Sequence, residues 1–283
     1  MPSLPNSTEK ETVRERWVAL SCGILQRQGR PLDTFVLLTL PGEEMRDIHK
    51  YTESGLLTFA KTDTGLQYRG KGKLVWAEKS TTRFMSISRQ LSRTVSYPGD
   101  ISHFIMKEPR HFPFDSINLD INGPLFGIPE RIDALFQRIF GLQSQHSRDF
   151  SLYLTFPETE RDDPSDYREL LVSTIENNLR DVNNGAFATE FTKRIGSTVA
   201  SLPYERRAVI AIAKIILRAS ASNSFQLRSY ECYAYGNRAA GRQRMFSLLF
   251  DFEFKGPSTH WGTLYYTDVL KILHDPVELR SAV

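Results

Sequence analysis

The stretch DTFVLLTLPGEEMRDIHKYTESGLL, residues 33–57, decides the fold. Its opening run, Phe35–Leu40, is apolar at every position but Thr39 and too short for a helix, so it reads as a strand buried on both faces. Pro41-Gly42 breaks the run. Glu43 to Leu57 then reads as a helix with acidic residues in its first turn, where the helix dipole favours them. A buried strand, a tight breaker and a helix form the unit from which parallel α/β sheets are built.

The same alternation extends outward. Residues 1–11 are polar with two prolines and read as a loose leader, followed by an apolar-periodic helix from Arg14 to Gln28 that Gly29 ends. Downstream, LVWAE (Leu74–Glu78) is a second buried strand, with a helix over Thr81–Ser92. HFIMK (103–107) is a third strand and FDSINLD (114–120) a fourth, leading through NGPLFG to a helix across 129–145. DFSLYLTFP is a fifth strand. Helices over 165–181, 186–195 and 204–221 precede two long strand-like runs, 225–236 and 242–255, joined by NRAAG as an antiparallel hairpin. The expectation is an α/β, Rossmann-like, mainly parallel twisted sheet closed by a C-terminal antiparallel hairpin, with helices on both faces. The domain occupies residues 30–255, with a leader and helix at 1–29 and a tail at 256–283.

Composition narrows the class. The chain has 283 residues, 40% hydrophobic and 24% charged, which excludes disordered, collagen-like and coiled-coil proteins. No apolar run reaches the ~20 residues of a membrane span, and the first residues lack the apolar core of a secretory signal. Two cysteines, Cys22 and Cys232, form no framework and fit a reducing cytosol, so a soluble cytoplasmic protein is expected. The net charge of +3 permits a polyanionic partner without requiring one.

Five α/β units followed by an antiparallel hairpin resemble the class I S-adenosylmethionine-dependent methyltransferases. The run Phe114–Pro124 is similar to the fourth motif of tRNA guanine-N2 dimethyltransferase-like enzymes, where an acidic residue, a glycine and a proline follow an apolar strand. The resemblance implies S-adenosylmethionine bound across the carboxyl ends of strands one, two and four, the usual ligand edge of an open α/β sheet. It implies Thr39, Gly42 and Glu43 (with Glu44 beside it) in the first turn, and Glu78 accepting the two ribose hydroxyls. Asp120 and Asn122 would orient an acceptor amine, and Lys107, Arg110, Arg238 and Arg242 would hold an anionic substrate. Departures are plain: the first turn has one glycine, and Ile121-Asn122 stand where the motif's proline core belongs. Two functions therefore stay open, methyl transfer to an amine on nucleic acid and a non-catalytic methyltransferase-like subunit that binds a nucleic acid or protein.

Other chemistries find less support. The six histidines are scattered without metal-ligand spacing, so no metal is expected. Neither a GxSxG elbow nor a GxxxxGK[ST] loop occurs. Glu231, Glu253 and Lys255 imitate a nuclease acid pattern, which strand alternation explains equally well. Arginines among tyrosines in the hairpin (Arg228, Tyr230, Tyr233, Tyr235, Arg244) suit base stacking but also an ordinary wet strand face.

Overall fold

The computed structural model describes residues 8–62, 65–69, 73–121, 131–157, 165–196, 198–236, 243–257 and 260–279. Its helices are α1 (Thr8–Arg27), α2 (Arg46–Glu53), α3 (Thr81–Gln90), α4 (Ile101–Lys107), α5 (Ile132–Ser144), α6 (Ser165–Leu179), α7 (Gly185–Arg194), α8 (Tyr204–Ser222) and α9 (Trp261–Asp268). The strands are β1 (Val36–Thr39), β2 (Phe59–Thr62), β3 (Gly65–Tyr68), β4 (Lys73–Glu78), β5 (Val95–Pro98), β6 (Ser116–Asp120), β7 (Phe150–Pro157), β8 (Phe225–Tyr235), β9 (Met245–Phe254) and β10 (Val277–Glu278). Eight strands form one sheet in the order β10-β8-β9-β7-β6-β1-β4-β5, while β2 and β3 make a separate small hairpin. From β5 to β7 every pairing is parallel, β9 inserts antiparallel between β7 and β8, and β10 extends the far edge parallel to β8. The chain is α/β and Rossmann-like, with the expected hairpin beside the fifth strand of the alternation.

Three local expectations are corrected. Residues 103–107 belong to helix α4, not a strand, and the third parallel strand is Val95–Pro98. Asp100 causes this: its side chain accepts from the Ser102 amide at 2.9 Å, starting a helix whose buried Ile101, Phe104 and Ile105 recur at helical spacing. The first helix begins at Thr8 rather than near Arg14, so part of the supposed leader is ordered. The helix after β1 spans only Arg46–Glu53, because Ser54-Gly55 ends it, Gly55 taking a φ of 78°. The hairpin turn NRAAG lies outside the described residues.

The two faces of the sheet differ in chemistry. Residues paired in register share a face, so Ile117, Leu119, Leu152, Leu154, Leu248, Phe250 and Phe252 build one apolar face. They pack into the main core with α5 and α8, each fully buried leucine or phenylalanine contributing about 1.5–3 kcal/mol. The other face carries Ser116, Asn118, Asp120, Ser151, Tyr153, Thr155, Ser247 and Asp251. Helix α1 covers it. Trp17 stacks on Tyr153 at 5.9 Å, and Tyr153 donates its hydroxyl to the Trp17 carbonyl at 2.9 Å. Ser21 and Ser116 share a hydrogen bond of 2.8 Å between their hydroxyls. Arg27 at the end of α1 grips Asp251 beside the start of β7, while Lys10 at its beginning meets Asp120 at the end of β6. Helix α1 thus runs antiparallel to β6 and β7, its first turns above the carboxyl edge of the sheet.

At the amino edge, Asp115 is buried and accepts from Arg30 (2.5 and 3.2 Å), Arg148 (3.1 Å) and the Val36 amide (2.8 Å). This staple ties β1, β6 and β7 in register from below. No helix among the described residues is long and apolar enough to cross a membrane.

Candidate functional site

The carboxyl edge is where this sequence places its unspent polar chemistry. Strand β1 ends at Thr39, which is fully buried, and its hydroxyl has no hydrogen-bond partner. The turn that follows keeps Pro41 buried and Gly42, Glu43 and Glu44 exposed. Met45 closes it with a left-handed φ of 47°, its amide bonded to the Gly42 carbonyl at 2.9 Å. A methionine side chain in that backbone region is strained, a condition that surrounding structure must impose. A Cβ added at Gly42 would meet nothing within 4 Å, so the space before this turn is open and no protein atom demands the glycine.

Strand β6 brings Asn118 beside Thr39 in parallel register. Asn118 is fully buried, yet neither its amide oxygen nor its nitrogen finds a partner. Two residues on, Asp120 has a side chain only 8% exposed; Oδ2 accepts from the Lys10 ammonium at 2.6 Å while Oδ1 has no partner. Tyr235, ending β8 at the same edge, buries an unpartnered hydroxyl, and burial with the nearby Asp120 and Asp47 charges raises its pKa well above the ordinary value. Buried polar atoms without partners each cost about 1–3 kcal/mol, and four residues of one edge carry five of them. Such a concentration marks a place prepared for a ligand or ordered water.

Charged groups from α1 and α2 close over this edge. Arg14 donates to buried Asp47, in the first turn of α2, at 2.5 Å, and contacts Glu11 at 3.2 Å. Lys50 meets Glu11 at 2.7 Å. Burial, then the neighbouring Asp120 charge, pushes the Asp47 carboxyl upward, while Arg14 and Lys10 oppose the shift. Glu78 ends β4 half-buried, its carboxylate accepting from the Ser80 amide at 2.7 Å, and Ser80 caps α3. Glu43 reaches across to Arg83 of α3 at 3.6 Å, drawing the first turn toward the Glu78 loop.

Thr39, Gly42, Glu43, Glu78 and Asp120 therefore share one edge, in agreement with their order along the sheet. Asn122, Arg238 and Arg242 lie outside the described residues. Lys107 and Arg110 do not join them. Lys107 ends α4, which returns from the carboxyl end of β5, and Arg110 pairs with Glu108 at 3.0 Å just before the chain enters β6. Pro109–His111 form a short 3-10 turn just before β6 starts at Ser116, so this segment sits at the amino edge. The crossover places these two cations on the opposite side of the sheet from Asp120.

Glu231 and Glu253 are also apart. Glu231 pairs with Arg16 (2.5 Å) opposite Leu249, whereas Glu253, four residues farther along β9 and about 13 Å away, pairs with Arg228 and Lys255 at 2.7 Å each. Among the described residues no cluster of three or more His, Cys, Asp or Glu side chains could hold a metal ion. Lys10, Arg14, Asp47 and Asn118 were missed in the sequence, and Tyr235 was read there only as a stacking ring of the hairpin. Asn118 alone carried a local signal, a polar amide in the middle of an apolar strand.

No protein-family profile matches the chain, and no curated protein matches its sequence. Among solved structures, a Pyrococcus horikoshii protein provisionally named an RNA methyltransferase aligns over 90% of each chain, with 10% identity and a TM-score of 0.42. TYW2 of M. jannaschii, solved with AdoMet, aligns over 89% of this chain and 79% of its own, with 10% identity and a TM-score of 0.37. The plantazolicin methyltransferase BamL, solved with SAH and a substrate analogue, aligns over 86% and 87%, with 13% identity and a TM-score of 0.40. At such values the strand order, not the superposition, defines the fold, a Rossmann-like α/β sheet with an antiparallel C-terminal hairpin.

Proposed function

We propose that the protein binds an S-adenosylmethionine-type cofactor at its carboxyl edge and transfers a methyl group to an amine. The observation that carries this reading is the set of buried, unpartnered polar atoms on Thr39, Asn118 and Asp120, to which a bound ligand would offer hydrogen bonds. The donor set fits such a cofactor. Glu78 offers carboxylate oxygens to a pair of vicinal hydroxyls, and the open turn at Gly42 leaves room for close approach. The cofactor, when bound, supplies an electrophilic methyl group. Asp120 accepts an N–H of the acceptor amine and holds its nitrogen lone pair toward the methyl group. The expectation of a nucleic-acid substrate leaned partly on Lys107 and Arg110, which face away from this edge, so the proposal stops at an amine.

One observation favours the second reading, a non-catalytic binding subunit: Lys10 already occupies Asp120. Titration calorimetry with S-adenosylhomocysteine tests the proposal. Micromolar affinity, about −8 kcal/mol, is expected, and Glu78→Ala should weaken it more than tenfold, because a charge-assisted hydrogen bond contributes about 1.5–3 kcal/mol. No heat of binding would overturn the cofactor reading. Binding without methyl transfer to any amine would leave the non-catalytic subunit.

A further inference from the structure

We infer that the seat at Asp120 is built for a primary amine on an alkyl stem, and that Lys10 is its internal occupant. The inference rests on the acceptor role proposed for Asp120, and it names the chemical class that the acceptor takes. Lys10 arrives from 110 residues away and places its ammonium 2.6 Å from Oδ2, with only 20% of its side chain exposed. The seat is not exhausted by this guest. Asp120 Oδ1 remains buried without a partner, and an ammonium has three N–H groups to give.

The surroundings select for a cation. Helix α1 presents Glu9, Lys10, Glu11 and Arg14, α2 presents Asp47 and Lys50, β6 presents Asp120 and β8 presents the Tyr235 hydroxyl. Two buried carboxylates, Asp47 and Asp120, stand close enough to disturb each other, and each is matched by one cation from α1. A neutral nucleobase amine would replace Lys10 without replacing its charge. Its phosphates would add negative charge beside both carboxylates, a juxtaposition that costs rather than stabilises. An alkylammonium docks charge for charge, and then passes one N–H proton to the Asp120 carboxylate, which frees the nitrogen lone pair that methyl transfer requires. Because Lys10 is tethered, it competes at a high effective concentration, so an incoming amine must displace the first turns of α1.

Chemical rescue tests the seat without any cofactor present, so loss of cofactor binding and loss of this inference are separate results. Lys10→Ala empties the seat, and n-butylamine should refill it. At matched ionic strength, set with NaCl, saturating n-butylamine should raise the melting temperature of Lys10→Ala by about 2–4 °C. Wild-type protein should show a smaller rise, because Lys10 competes, and the Lys10→Ala/Asp120→Asn double variant none. Arms with spermidine and with Nα-acetyl-lysine amide ask whether the amine arrives on a polyamine or on a lysine side chain, and adenosine should do nothing. Equal shifts in all three proteins, no shift in any, or rescue by adenosine in place of the alkylamine would overturn the inference. If Lys10→Ala does not fold, hydrogen exchange on the wild-type chain decides. Residues 8–14 should exchange faster in n-butylamine than in matched NaCl, and unchanged exchange would refute the seat.

Discussion

Replacing Asn118 with valine should stabilise the ligand-free protein and abolish its ligand binding together. Asn118 is fully buried in the middle of β6, on the face that α1 covers, and both amide atoms lack partners. Two unsatisfied groups at the lower bound of about 1 kcal/mol each amount to about 2 kcal/mol of strain that the fold tolerates. Valine is close in shape, favours strands through its branched Cβ and leaves no polar atom to desolvate. Its slightly larger volume beside Tyr153 offsets part of the gain, so a net stabilisation of about 1–2 kcal/mol is expected. Urea unfolding followed by tryptophan fluorescence should show the midpoint rising by about 0.3–0.7 M with an unchanged slope, for a slope of about 3 kcal/mol/M. Calorimetry on the same sample should show S-adenosylhomocysteine binding lost. A variant less stable than wild type by 1 kcal/mol or more would refute the reasoning, because the amide would then be satisfied in the free protein by ordered water rather than held in reserve.

Two further outcomes follow from buried charges elsewhere. Asp115→Ala should destabilise the protein by about 2–4 kcal/mol, by stranding the Val36 amide and unpairing Arg30 and Arg148, with chemical denaturation as the readout. Lys214, on α8, is 1% exposed, donates to the Thr174 carbonyl and lies 5.2 Å from the Phe187 ring centre; burial, then the charge of Arg218, lowers its pKa from 10.5 to about 7. Between those values the unfolded chain binds a proton that the folded chain does not, so this group makes stability rise with pH from about 7 toward 10.5. Lys214→Met should flatten that rise by up to about 1.4 kcal/mol per pH unit, and parallel slopes for the two proteins between pH 7 and 9.5 would contradict the assignment.

The sheet was legible because β1, β4, β6 and β7 are buried on both faces and announce themselves as short apolar runs. β5 was not: Val95–Pro98 alternates half-buried and exposed residues at the sheet edge, so no apolar run marks it. The Gly99-Asp100 signal that starts α4 stood in the sequence and outweighs the strand-like look of HFIMK. The early turns of α1 were hidden for a different reason. Their buried residues include Glu9 and Arg14, at helical spacing with Val13 and Trp17, and a charged residue reads as exposed until its partner is known. Those partners, Asp47 and Asp120, lie 33 residues from Arg14 and 110 from Lys10. The acids at the strand ends, Glu78 and Asp120, were therefore visible, while Asp47 on α2 and the cations that pair with the buried acids became visible only in three dimensions.

A cofactor bound at the polar carboxyl edge should leave a hydrogen-exchange footprint on the full chain when S-adenosylhomocysteine is added. Slowed exchange is expected only at residues 37–45, 76–81 and 116–121, the ends of β1, β4 and β6 with their turns. Slowed exchange elsewhere, or none at saturating ligand, would contradict it.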